Sequence, residues 1–183
     1  ETDDERQWAE NVATRIATLQ AADVKVMRRD GFIIARGPCN VHRRRSLLQE
    51  RSAVEGLRII ATAQKDFHDN DRDGNGAKDF WTADISGLHR LARSLDGSLS
   101  AADVRPADNN GPCTPRNGYW FMALKPDTPA SFFVCAYPSD YGQGGRTTFI
   151  VTQEGLVYGK DLQGFRLEAP PRHPPAEGWQ KIE

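Results

Sequence analysis

Long apolar runs are missing from this sequence of 183 residues. No stretch of about 18 apolar residues occurs, so no segment of it reads as a membrane span. An excess of charge of one sign is missing too. Lys and Arg number 24 against 25 Asp and Glu, a net charge of −1, so no global field favours nucleic acid or an anionic membrane. Arg43, Arg44 and Arg45 form a short basic run, but no aromatic residues interleave with it, and it reads as a solvated turn. The phosphate-cradling loop, the dinucleotide fingerprint, the G-x-S-x-G elbow and the H-E-x-x-H zinc motif are all absent, so no catalytic residues and no enzyme are expected. The start, ETDDERQW, lacks the apolar core of a signal peptide. It reads as a mature or trimmed N-terminus, compatible with a removed hydrophobic leader.

Cysteine is sparse. Cys39, Cys113 and Cys135 leave one thiol over if a disulfide forms. Cys113 sits in a Pro/Gly-rich loop and Cys135 in an apolar strand, and a Cys113–Cys135 bridge would staple that loop to the sheet. Cys39 and His42 have the spacing of half a zinc site, but no second pair lies nearby, and metal binding is not expected there.

What is present divides the chain into three parts. Residues 1–45 read as an N-terminal extension. Trp8, Val12, Ile16 and Leu19 recur at helical spacing, and two β-prone runs then meet around Asp30-Gly31 as a hairpin. Residues 46–165 read as the main α+β domain. Ser46-Leu47-Leu48-Gln49 fits a capping box, so a helix is expected to start there. Val54, Leu57, Ile60, Gln64 and Phe67 continue it to about His68. A second, shorter helix is expected through Ile85, Leu88, Leu91 and Leu95, and a long loop over residues 96–117. Four runs rich in aromatic and β-branched residues follow and predict an antiparallel meander, against which the helix beginning at Ser46 buries its apolar face. Residues 166–183 form a proline-rich tail, expected to be extended, with Trp179 packed back onto the body.

The stretch DNDRDGNGAKDF, residues 69–80, carries the candidate chemistry. Asp69, Asp71 and Asp73 fall at positions 1, 3 and 5 of an EF-hand-type calcium loop, Gly74 at 6 and Asn75 at 7. Phe80 stands where a bidentate Glu would close the loop, and Asp79, one place earlier, is the alternative closing ligand. Calcium held by Asp69, Asp71, Asp73, Asn75 and Asp79 is the expected cofactor. A solvated Asp/Gly turn is the competing reading. An active site built from His68, His89 and these aspartates is a distant third. The aromatic residues Tyr119, Trp120, Phe121, Phe132, Phe133, Tyr137 and Tyr141 crowd the sheet, and a binding face is expected wherever they are uncovered.

Three segments resemble a known family. ERSAVEGLRIIATAQKDF looks like the part of the first helix that follows the membrane-embedded half in bacterial type IV pilin-like proteins. GYWFMALKP, and AYPSDYGQGGRTTFIVTQEGLVYGKDL over Ala136–Leu162, are similar to planctomycete-type secreted pilin-like proteins. The resemblance covers roughly residues 47–162. It implies a pilin-like fold, with a helix packed on a C-terminal antiparallel sheet, and an extracellular or periplasmic, envelope-associated location. It further implies protein partners, including a possible homo-oligomer, with membrane contact only through a segment absent from this chain and a prepilin-type leader expected upstream. The function these expectations give is a non-enzymatic exported protein of a cell-envelope or extracellular assembly. The alternative is a secreted module that recognises a ligand or protein through its aromatic sheet face or the 96–117 loop.

Overall fold

An apolar residue every three or four positions between Val54 and Phe67 needs a helix to line it up on one side. In the computed structural model this is α1, Val41–Asn70. The structure describes residues 14, 25–29, 32–36, 41–92, 94–104, 113–128 and 130–183, with side chains at 14 and from 45 onward. Residues 1–44 and 45–183 form two compact units. In the first, β1 (Lys25–Arg29) pairs antiparallel with β2 (Phe32–Arg36), with Arg29 opposite Phe32 at the turn. Of the helix expected from Trp8 to Leu19 only Thr14 is among the described residues, and it is helical; Cys39 lies outside them.

The second unit is α+β. The α1 helix runs through Ser46 without a break, so Ser46 caps nothing and the helix starts five residues earlier than the capping-box pattern suggests. The residues before Ser46, His42 to Arg45, are adequate helix formers that extend the hydrogen-bond ladder backwards. Two short helices follow: α2 (Ile85–Leu91) and α3 (Gly97–Ala101). The α3 helix occupies the beginning of the segment expected to be loop, because Asp96 caps it by accepting from Ser98 N.

The sheet has five strands in the order β3 (Tyr119–Leu124), β4 (Phe133–Pro138), β5 (Thr147–Thr152), β6 (Val157–Asp161) and β7 (Gln180–Ile182), all antiparallel. The fifth strand comes from the proline-rich tail, which sequence reading left outside the sheet. Before it, the tail turns rather than extends, with Trp179 N donating to Pro174 O at 2.9 Å.

Strand alternation divides the side chains between two faces. One face presents Tyr119, Phe121, Val134, Ala136, Phe149, Val151 and Val157 to the stripe of α1, where Leu57, Ile60, Ala63 and Phe67 are buried among them, and α2 adds Ile85 and Leu88. Full burial of each large side chain contributes roughly 1.5–3 kcal/mol. The opposite face carries Met122, Leu124, Cys135, Tyr137 and Ile150, closed over by Trp179 with Val104, Leu162 and Leu167. Both faces are therefore covered. The outer edge of β3 is paired as well: Phe121 N donates to Ala102 O at 2.9 Å and Val104 N to Phe121 O at 3.0 Å.

Helix and sheet approach closely at Gly56. A Cβ there would stand 2.8 Å from Phe121 Cζ, so only glycine lets the ring lie against the helix backbone. At the start of β5, Glu50 Oε1 accepts from Arg146 N at 3.2 Å and from the Thr147 hydroxyl at 3.2 Å, tying α1 to the sheet end.

Candidate functional site

The acidic stretch forms the corner where α1 ends and the chain turns towards α2. Its aspartates do different jobs. Asp66, a turn before the helix end, receives Arg72 in a two-pronged contact, Nε to Oδ2 at 3.0 Å and Nη2 to Oδ1 at 2.9 Å. That guanidinium holds the Asp66 carboxyl below its ordinary range, although partial desolvation opposes it. Asp69 turns back along the helix, pairing with Lys65 and, at 3.0 Å, with His68 Nδ1. Its carboxyl is lowered first by the Lys65 contact and then by His68. The His68 ring stacks on Phe80, with centroids 4.7 Å apart, and Phe80 leans on the buried Phe132 at 5.1 Å.

The loop turns on Asp71. Its φ is +45°, a left-handed value that an Asp tolerates better than most side chains. Its carboxylate accepts from Asn75 N at 3.1 Å and from Gly76 N at 2.9 Å. Asn75 Oδ1 accepts from Ala77 N at 2.6 Å, which orients the amide so that Nδ2 donates to Asp73 Oδ2 at 3.0 Å and Asp79 Oδ2 at 3.3 Å. One neutral amide thus sits between two carboxylates. Gly74 and Gly76 take φ of +69° and +77° and supply the reversals.

The exit of the corner is pinned from beneath. Gln64, buried in α1, accepts from Trp81 N at 3.0 Å and donates to the Trp81 carbonyl. Trp81 Nε1 donates to Asp84 Oδ1 at 3.0 Å. Asp84 also accepts from Gly87 N at 3.0 Å as the cap of α2, while Asp103 accepts from Ile85 N at 2.7 Å and Ser86 N at 3.0 Å. Both carboxylates are buried. Sequence reading missed this pair. Asp84 was legible as a cap before Ile85, but Asp103 lies 18 residues from the amide it serves and had no local signal.

The five residues expected to bind calcium are therefore not gathered equally. Asp69 belongs to the helix, held by Lys65 and His68. Asp71, Asp73, Asn75 and Asp79 share the loop. Among the described residues, no three Asp, Glu, His or Cys side chains are already grouped to hold a metal ion. Counted from Asp71, on which the backbone turns, Asp71, Asp73 and Asn75 would stand at positions 1, 3 and 5 of such a loop, Gly76 at 6 and Asp79 at 9. In that count Thr82, not Phe80, would stand at the closing position 12.

The other candidates are scattered. His89 lies on α2, close to Gly97. Cys113 is exposed with a free thiol, and Cys135 is buried on the far face of the sheet, so the Cys113–Cys135 bridge is not formed here. Among the aromatic residues expected to make a binding face, Tyr119, Phe121, Phe132 and Tyr137 are buried. Of those residues only Tyr141 is exposed, at 39%.

Residues 109–182, which include the whole five-stranded sheet, match a protein-family profile described as Protein of unknown function (DUF2950). No curated protein and no solved structure matches the chain. No helix among the described residues is long and apolar enough to cross a membrane.

Proposed function

We propose that this chain is a non-enzymatic, pilin-like structural protein of a cell-envelope or extracellular assembly, in which the corner after α1 is a calcium-stabilised loop. The observation that carries the reading is where the polar residues of the corner act. Asp66, Asp69, Asp71, Asp84 and Asp103 cap a helix, clamp a side chain or hold a backbone amide. Such an arrangement fixes shape. A long helix laid on a C-terminal antiparallel sheet is also the architecture that the resemblance at residues 47–162 implies. Asp71, Asp73, Asn75 and Asp79 would hold the ion, whose charge would relieve the repulsion between neighbouring carboxylates. Asp69 is left out of that set because its carboxylate turns back along α1 to Lys65 and His68.

The setting is tested by fractionating the native host and probing intact cells with protease. The protein should be in the envelope or secreted fraction and accessible to protease. A cytosolic, protected protein would contradict the proposal.

A further inference from the structure

Four large apolar side chains stand exposed among the described residues: Leu47, Leu48, Tyr141 and Phe165. Phe165 is the extreme case, at 75%. It is not on a slack loop. Gln163 N donates to Asp161 Oδ1 at 2.7 Å and Phe165 N to Leu162 O at 3.0 Å. Gln163 and Gly164 hold φ of +55° and +84°. The Tyr141 ring packs against Gly164 while its hydroxyl donates to Asp161 at 3.0 Å, and the Arg166 guanidinium lies 5.4 Å from the centre of the Tyr137 ring. The turn is held on both sides, yet the ring it presents adds little to its own chain. A rigidly supported aromatic side chain loses little entropy on binding, which is the property of an interface anchor.

Asp161, where this turn begins, also lines a groove of about 700 Å³ between α1 and strands β5 to β7. Val54, Phe149 and Ile182 supply its apolar surface and Leu47 its lip. Arg51, Glu55 and Arg58 rise along the helix side, and none of them has an ion-pair partner among the described residues. An apolar centre inside a charged rim is the usual anatomy of a protein interface, and the groove is large enough for the ring together with the residues flanking it. The charges match as well. The ring is followed by Arg166 and Glu168, while the groove offers Glu55 for the first and Arg51 or Arg58 for the second.

We infer that Phe165 of one copy seats in this groove of a second copy. The contact rests on the assembly reading above and names the surface through which copies would meet. Sedimentation equilibrium of the full chain across a concentration series tests it. Reversible, concentration-dependent association is expected. Phe165→Ala should weaken it by about tenfold or more, the loss typical of an anchor residue, while thermal melting stays unchanged because the ring is outside the core. Leu47→Glu should weaken it in the same way. An equimolar mixture of the two variants should associate more strongly than either alone, since one keeps an intact groove and the other an intact ring. A closed dimer and a longer series are both consistent with this contact. Monomers at every concentration, wild-type association by Phe165→Ala, or a mixture no stronger than its components would each overturn it. A monomeric chain found in the envelope would sink this contact and spare the assembly reading, whereas a cytosolic chain would remove that reading whatever its association.

Discussion

Gln64 and Trp81 hold each other by a reciprocal pair of hydrogen bonds: the Trp81 amide donates to Gln64 Oε1 at 3.0 Å, and Gln64 Nε2 donates to the Trp81 carbonyl. The glutamine side chain mimics a strand partner, and it does so from a buried position on the apolar stripe of α1. The acidic corner is thereby closed at its exit, as the Asp66–Arg72 contact closes it at its entrance.

Replacing Gln64 by Leu keeps the bulk and removes the side-chain partners of the Trp81 amide and carbonyl. The half-buried amide and carbonyl then lose their bonds, and the loss should be about 1–3 kcal/mol. Urea unfolding followed by circular dichroism should show a lower midpoint with an unchanged slope. An unaltered midpoint would mean that the pair merely accompanies the fold.

The Asp66–Arg72 contact predicts acid sensitivity. The folded-state pKa of Asp66 is lowered, chiefly by its hydrogen bonds with Arg72. The stabilisation is therefore fully present above the unfolded Asp value of about 3.9 and is lost as pH falls through the folded value. Carboxyl NMR titration should place Asp66 below its ordinary range in the wild type and return it towards that range in Arg72→Ala. Identical titration curves would refute the contact.

Gly56→Ala sets two effects against each other. Helix propensity favours alanine by about 1 kcal/mol. Against this, the new methyl would lie 2.8 Å from Phe121 Cζ and 3.1 Å from Arg116 Nη1, which donates to Ser52 O. Phe121 is fully buried and has nowhere to retreat. Overpacking of this kind costs about 1–3 kcal/mol, so sterics should win and the melting temperature should fall. A rise would show that the ring can move aside.

Much of this was legible in the sequence, for identifiable reasons. Val54, Leu57, Ile60, Gln64 and Phe67 announce α1 because burial on one side imposes a period that composition cannot hide. The four strands from β3 to β6 are marked by their aromatic and β-branched runs. What escaped was non-local or outvoted. The Ser46 capping signal lost to the helix-forming residues before it. Gln180–Ile182 carries no strand pattern of its own and becomes β7 through its pairing with Val157–Gly159. That Lys65, one helical turn earlier, pairs with Asp69 could not be told from the spacing of the aspartates alone. Gly74 and Gly76 both fit a turn by sequence, and only the backbone shows that Asp71 receives the Asn75 and Gly76 amides.

Thermal melting with saturating calcium against chelator tests the proposed calcium loop directly. Binding at 100 times the dissociation constant should stabilise the wild type by about 2.7 kcal/mol. Asp71→Asn should abolish most of that increment, whereas Asp69→Asn should retain it. Equal melting of the wild type with calcium and with chelator would contradict the account.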